Sequence, residues 1–303
     1  MNRFHFLWLI PALFGLSALA TAEQTQQADI NWAGCGITKK AFMAELARAY
    51  EAKTGINISL SGGGATKGIR NAAAGNIDIG GACRTSLESR DDERNAHQIP
   101  VAWDALVVVT NKDNPVDNIT FDQLKQIYLG NITNWKELGG GDAPIELYVR
   151  RGKMSGVGRT LRELVFNNFD QEFKATYVVK SSGPVEKGVM GNINGLGVTG
   201  ISSAKKRDIK ILKLNGHEPS YAKIRNGDYV LYRPLYLVTK RGATDQKVRD
   251  FIRYAVSQEG QEIIRKQGTV PYTEAMALVM KQLDQYERAS KSGAYRTSAD
   301  SQI

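Results

Sequence analysis

Glycine-rich turns, each placed between a short apolar segment and an amphipathic one, constrain the fold of this chain more than any other feature. They occupy residues 34–38, 61–66, 82–86 and 150–157. After the first turn, Phe42, Leu46 and Tyr50 recur at helical spacing. Repetition of strand, turn and helix predicts an α/β fold with a mostly parallel sheet and crossover helices.

Two longer apolar segments, residues 101–110 and 231–239, bracket the middle third of the chain. Their similar length and character predict two strands that cross between two lobes and act as a hinge. The first lobe would comprise residues 23–106 together with 235–303, and the second lobe residues 107–234. In each lobe we expect a doubly wound, mostly parallel sheet.

The first 22 residues have the three-part pattern of a secretory signal peptide. Arg3 precedes an apolar run over residues 6–20, and Ala20-Thr21-Ala22 supplies the small residues of a cleavage site. No later apolar run is long enough to span a bilayer. We therefore expect a soluble periplasmic protein with its signal peptide at residues 1–22.

The basic residues are spread along the chain, so the net charge by itself excludes few classes of ligand or partner. The formal net charge is +9, and the densest basic run is residues 205–207. Nucleic-acid-binding proteins usually concentrate Lys and Arg on one face or tail, so we expect no nucleic-acid partner.

Catalytic motifs are sparse. Of the three His residues, His5 lies in the signal peptide, and His97 and His217 lie outside the turns. The chain has no nucleophile elbow, phosphate-loop Lys or His-rich metal motif. We expect no enzyme, metal or cofactor, and an exported cysteine-dependent enzyme is the remaining catalytic alternative.

The four turns together predict a site for an oxyanion. In open α/β sheets, ligands bind at the carboxyl ends of the strands, where helix N-termini offer free N–H groups and a favourable dipole. Thr38, Thr66 and Ser155 place hydroxyl groups in three of these turns. Arg84 and Arg151 could add forked, charge-assisted hydrogen bonds.

Several segments away from these turns carry a family resemblance. They are TFDQL at residues 120–124, with 127–130 and 132–135, RPLY at residues 233–236, and parts of residues 259–271. With them, nearly all of the chain after the signal peptide resembles the phosphate-binding proteins of bacterial phosphate importers. The resemblance implies a two-lobed periplasmic binding protein that captures phosphate and delivers it to an ABC importer.

The ligand turns depart from this family in part. Arg151 precedes Ser155 and Gly156 as in the family, but Val157 stands where the family has Thr. Ala65 stands where the family has Ser, and Asp104 is the nearest acceptor for the proton of hydrogen phosphate. The resemblance implies ligand contacts from Gly36, Thr38, Ala65, Thr66, Arg84, Asp104, Arg151, Ser155, Gly156 and Val157.

The two cysteines lie in the first and third turns, at Cys35 and Cys83. In a doubly wound sheet the first and third strands are neighbours, so the two sulfurs are expected to lie close together. A disulfide, two unrelated buried thiols and a pair of soft ligands all remain open.

The sequence therefore supports two hypotheses, which differ in the ligand and in the membrane partner. The main prediction is a small inorganic oxyanion, by default phosphate, captured by a monomer for a membrane ABC permease. The alternative is an arsenic oxyanion, arsenate or arsenite, bound with Cys35 and Cys83 and signalled to the ectodomain of a sensor kinase.

Overall fold

The computed structural model describes residues 28–87 and 89–291. The predicted signal peptide and the polar residues 292–303 lie outside this part of the chain. None of the helices that it contains has the length and apolar character that a membrane crossing requires.

The strands follow one another along the chain with helices between most of them. They are β1 Ile30–Gly34, β2 Ile58–Gly62, β3 Ile79–Ala82, β4 Ala96–Asn111, β5 Asn118–Ile119, β6 Glu146–Arg150, β7 Tyr177–Val179, β8 Gly195–Gly200, β9 Ile209–Ile211, β10 Lys213–Leu214, β11 Tyr232–Lys240 and β12 Val270–Pro271.

Two of the helices contain a wider π turn. Helix α1 joins Gly36–Thr38, the π turn Lys39–Met43 and Ala44–Thr54, and helix α4 joins Gly156–Leu161 and the π turn Arg162–Phe166. The other α-helices are α2 Gly64–Ala74, α3 Phe121–Leu129, α5 Ser182–Met190, α6 Ile201–Ala204, α7 Tyr221–Asn226, α8 Gln246–Val256, α9 Gln258–Lys266 and α10 Ala277–Ser290. Single 3-10 turns occupy Trp135–Leu138 and Tyr272–Ala275.

One sheet path runs through both lobes, in the order β2-β1-β3-β11-β4-β8-β6-β7. In the first lobe, β1 pairs in parallel with β2 and β3, while β11 is antiparallel to β3 and to the first part of β4. In the second lobe, the last part of β4 is antiparallel to β8 and β9, and β6 is parallel to β8 and β7. The long strand β4 thus crosses between the lobes, as expected of a two-lobed periplasmic binding-protein fold.

Small residues bring α2 close to the sheet of the first lobe. A Cβ atom at Gly68 of this helix would lie 2.8 Å from the carbonyl oxygen of Gly81 and 2.9 Å from that of Ala33. A larger side chain would therefore push the helix away from β1 and β3. This close packing fixes where the N-terminus of α2 points.

The C-terminal third differs from the sequence expectation in two ways. The sequence of residues 246–266 alone predicts one continuous helix, but Ser257 is extended and its hydroxyl accepts a hydrogen bond from Gly260 N, so a second helix begins there. Helix α10 was not expected, and it packs on α7 and on the π turn of α4, both between residues 107 and 234. The residue bounds of the two lobes stay a prediction.

Candidate functional site

A cavity of about 480 Å³ lies between the two lobes. Its first-lobe wall comes from the turns after β1 and β2, and its second-lobe wall from the end of β6, the start of α5 and the end of α6. The lobes touch beside it, since Lys40 Nζ of the first lobe donates to Ser203 Oγ of the second at 2.7 Å. On another side, Thr66 Oγ1 and Arg84 Nε donate to the carbonyl oxygen of Met154, at 3.1 and 3.0 Å.

Three helices begin at this cavity without a side-chain cap. They are α1 after Cys35, α2 after Gly63 and α5 after Ser181, and none of these three residues forms a geometric side-chain cap on its helix. By contrast, α4 is capped by Ser155, whose hydroxyl accepts from Gly158 N at 3.2 Å. Uncapped N–H groups at a helix start favour an anion through hydrogen bonds and the helix dipole.

Arg150 is the cation that stands between the walls. Its Nη1 donates to Ser182 Oγ at 3.3 Å, and its buried Nε has no acceptor among the described residues. Alternation along β6 explains its placement. Arg150 and Tyr148 are two residues apart in this strand, so their side chains lie on the same face of the sheet. Tyr148 packs beneath Gly188 of α5, and Arg150 therefore faces the start of that helix.

The other cations of the cavity divide into paired and unpaired groups. Lys40 and Arg207 share the buried carboxylate of Glu186, at 3.5 and 3.0 Å. Burial alone would raise the pKa of Glu186, but hydrogen bonds from Ser203 and Thr199 and the charge of Lys40 lower it overall. Lys180 has no carboxylate partner in the described part of the chain, and none of the described residues lining the cavity is acidic. The cavity therefore carries an excess of positive charge.

A second, shallower pocket of about 290 Å³ adjoins the cavity and shares Gly63, Gly64 and Arg150 with it. Four residues of the predicted site line this pocket: Ala65, Thr66, Arg151 and Ser155. Arg151 is exposed, and its side chain has no hydrogen-bond or ion-pair partner within the described ranges. Of the predicted ligand contacts, only Gly36 lines the larger cavity, where Cys35 lies beside it.

Other predicted residues lie behind the walls. The Thr38 hydroxyl is buried and donates to the carbonyl oxygen of Ala82 at 3.2 Å. Arg84 forms a buried two-point ion pair with Glu93, with both contacts at 2.8 Å. Gly156 and Val157 are also buried and line neither space.

Asp104, the predicted proton acceptor, is enclosed as well. Its carboxylate is 3.4 Å from Arg233 Nη2 and accepts a hydrogen bond from Ser202 N. Burial raises the pKa of Asp104, and the charge of Arg233 offsets part of this effect. As ligand contacts, the residues behind the walls remain predictions.

The two cysteines are neighbours, as the strand order predicted. Their Sγ atoms are 2.9 Å apart, both residues are buried, and both are free thiols. Cys35 lines the cavity, whereas Cys83 packs against Gly156 of the second lobe, where a Cβ atom would collide with its sulfur. The pair is therefore in contact, and its role as a disulfide, as two buried thiols or as a pair of soft ligands stays a prediction.

Sequence reasoning missed Arg150, Lys180 and the start of α5. The segment 180–184, Lys-Ser-Ser-Gly-Pro, follows β7 and precedes α5, so it is a fifth turn of the same kind as the four predicted ones. That signal was present in the sequence. The choice of Arg150 over Arg151 required knowing which face of β6 is covered by α5.

Comparisons with known proteins agree on one family. The family model described as a PBP superfamily domain matches residues 20–259. The phosphate-binding protein PstS of Borreliella burgdorferi is 31% identical over 191 residues, which are 60% of this chain and 68% of that protein. The protein of the same name from Bacillus subtilis is 27% identical over 259 residues, 84% of each chain.

Solved structures give the same result. A phosphate ABC transporter substrate-binding protein from Clostridium perfringens, solved with bound phosphate, has a TM-score of 0.72 and 30% identity. That match covers 80% of this chain and 98% of the other. An ABC-type phosphate transport receptor from Vibrio cholerae has a TM-score of 0.62 and 27% identity, over 80% of this chain and 99% of the other.

Proposed function

The chain belongs to the periplasmic binding protein (PBP) superfamily, and on that basis we propose that it captures phosphate between its two lobes for an ABC importer. The relatives named for phosphate binding and the neighbour solved with phosphate support this ligand. The proposed role is binding without catalysis, resident metal or cofactor.

One observation carries the proposal. Three helices from both lobes begin at one cavity without side-chain caps, next to Arg150 and Lys180, and no acidic residue of the described chain lines that cavity. Such a site binds an anion with oriented N–H groups and a small number of cations. A tetrahedral oxyanion has enough acceptor atoms to contact several helix starts at once.

Capture is proposed to work through closure of the lobes. An anion that contacts α1 and α2 on one side and α5 and Arg150 on the other stabilises the closed arrangement. The contacts of Lys40 with Ser203 and of Arg84 with Met154 link the lobes beside the cavity. The closed surface would then be the form that a membrane permease recognises.

The site residues are proposed as two groups. Arg150, Lys180 and the N–H groups that begin at Gly36, Gly64 and Ser182 contact the anion in the cavity. Ala65, Thr66, Arg151 and Ser155 line the adjoining pocket. Thr38, Arg84, Asp104, Gly156 and Val157 support the walls.

The location and the partner are part of the proposal. The signal-peptide pattern of residues 1–22 supports export, and the named relatives support an ABC permease as partner. We propose that the exported protein acts as a monomer, because one chain supplies both walls of the cavity.

Calorimetric titration of the purified protein tests the proposal. We expect saturable 1:1 binding of phosphate, and much weaker binding of chloride and acetate at equal ionic strength. A protein that does not bind phosphate, whether reduced or oxidised, would contradict it.

A trivalent arsenic oxyanion remains the second candidate. The observation in its favour is the pair of thiols 2.9 Å apart with Cys35 at the cavity wall, since trivalent arsenic favours thiolate ligands. Titration of the reduced protein with arsenite tests it. Absence of binding would remove this candidate, and tight binding lost in Cys35→Ser would support it.

A further inference from the structure

The cysteine pair lies where it can control the charge of the anion cavity. Cys35 directly follows β1 and Cys83 directly follows β3, and the two strands are parallel neighbours. Cys35 is almost fully buried, at 2% exposed, and is one of the residues that line the cavity. Cys83 lies behind it, fully buried and in contact with Gly156 of the second lobe.

The surroundings favour a thiolate at Cys35. A hydrogen bond from Cys83 lowers the pKa of the Cys35 thiol, and the positive charges of Arg233 and Arg150 lower it further against the opposing effect of burial. The hydrogen bond to Cys35 and burial together raise the pKa of Cys83. These effects favour a negative charge on Cys35, the cysteine that lines the cavity, over one on Cys83.

A thiolate at this position opposes a bound anion in two ways. It repels the anion directly. Its negative charge also offsets part of the positive charge of Arg150, which is proposed to hold the anion. Protonating the thiolate relieves the repulsion, but it lowers the apparent affinity for the anion by a factor of ten for each pH unit above the pKa of the thiol. A neutral group at the same place would leave Arg150 available to the ligand.

We propose that Cys35 and Cys83 form a redox-controlled gate on anion binding: the reduced pair weakens binding through a Cys35 thiolate, and a Cys35–Cys83 disulfide restores it by removing that charge. The inference rests on the proposed capture of phosphate in the cavity. It adds that affinity depends on the oxidation state of the compartment.

The oxidation is a two-electron reaction of the pair with a small hydroperoxide. The Cys35 thiolate attacks the peroxide, the O–O bond breaks, and a sulfenic acid forms on Cys35 while the leaving oxygen departs as hydroxide or alkoxide. The Cys83 sulfur then attacks the Cys35 sulfur and displaces hydroxide, which takes up the Cys83 proton and leaves as water. Disulfide sulfurs lie about 2.05 Å apart, so the sulfurs must approach by less than about 1 Å from their present separation.

Phosphate titrations of the reduced and oxidised protein test the gate. One sample is kept in excess phosphine reductant, and the other is treated with stoichiometric hydrogen peroxide and desalted. Mass spectrometry then verifies the loss of two hydrogen atoms. We expect the oxidised protein to bind phosphate at least tenfold more tightly than the reduced protein at neutral pH.

The two single serine variants separate a charge gate from a structural brace. Cys35→Ser removes the thiolate and should bind phosphate as the oxidised protein does, with or without reductant. Cys83→Ser cannot form the disulfide but keeps a thiol at position 35, so in excess reductant it should bind phosphate as weakly as the reduced wild-type protein. A disulfide that acted only as a brace would make the two variants equally weak, and that outcome would overturn the inference.

The remaining outcomes are distinct. Equal phosphate affinity of the reduced and oxidised wild-type protein would refute the gate and leave the proposed function intact. Failure of both forms to bind phosphate would refute the proposed function itself. Thermal unfolding of both variants verifies that a loss of binding is not a loss of fold, and a double variant Cys35→Ser/Cys83→Ser that binds tightly would support the charge argument independently.

Discussion

Replacing Arg150 by alanine tests the arrangement of the cavity most sharply, because the neighbouring Arg151 supplies a matched control. Arg150 stands between the start of α5 and the turn before α2, with its Nε buried and without an acceptor in the described chain. Arg151 is exposed and lines only the adjoining pocket. The two substitutions remove the same charge from positions one residue apart.

The magnitude follows from the interactions that Arg150 offers an anion. A hydrogen bond involving a charged group contributes about 1.5–3 kcal/mol, which is about a tenfold to 150-fold change in affinity. We therefore expect Arg150→Ala to weaken phosphate binding by at least tenfold. Arg151→Ala should change it by less than about fivefold, because a solvent-screened charge contributes less than about 1 kcal/mol.

Isothermal calorimetry at two ionic strengths measures both effects. The loss in Arg150→Ala should persist at high salt, since its contact is partly enclosed, whereas any small loss in Arg151→Ala should fade. Thermal unfolding of both variants provides the folding control. A larger loss of affinity in Arg151→Ala than in Arg150→Ala would refute the placement of the anion in the larger cavity.

Three further predictions use other parts of the molecule. Burial raises the pKa of Glu163 from its usual 4.5 to about 7, so the folded state binds this proton more tightly than the unfolded state. The free energy of unfolding should therefore fall by up to about 3 kcal/mol as the pH rises from 4.5 through 7. In thermal melts between pH 5 and 8, Glu163→Gln should lack this pH-dependent loss of stability. Lys40→Ala removes a partly exposed link between the lobes but leaves Glu186 paired with Arg207, so phosphate affinity should fall about two- to fivefold. The control is Lys39→Ala, which should not change phosphate affinity because the Lys39 Nζ donates to Leu60 O within the first lobe. Because no carboxylate of the described chain lines the cavity to accept the proton of hydrogen phosphate, sulfate should compete with phosphate within about tenfold in the disulfide form; exclusion of sulfate by a factor of thousands would require an acceptor that this arrangement does not provide.

The fold was largely predictable because it depends on local patterns. Repeated strands, glycine-rich turns and helices predicted the α/β class, and the resemblance supplied the two lobes. Helix α10 was missed because Met276, Met280 and Leu283, in and just before it, are exposed apolar residues, which obscures an amphipathic pattern. The break at Ser257 was missed because no proline lies between residues 246 and 266 to mark the end of a helix.

The site was predictable only in part, because its residues depend on tertiary packing. The turns marked the correct ends of the strands, but the partners of Arg84 and Asp104 lie elsewhere in the sequence. Glu93 and Arg233 neutralise these two side chains within the protein. No local pattern distinguishes an Arg that meets a ligand from one that meets a buried carboxylate.

The most direct test of phosphate capture is a crystal structure of the protein grown with phosphate. Tetrahedral density is predicted in the cavity between the lobes, within about 3 Å of the first N–H groups of α1, α2 and α5 and of the Arg150 guanidinium. Density in the adjoining pocket beside Arg151 and Ser155, with the larger cavity holding only water, would contradict this account.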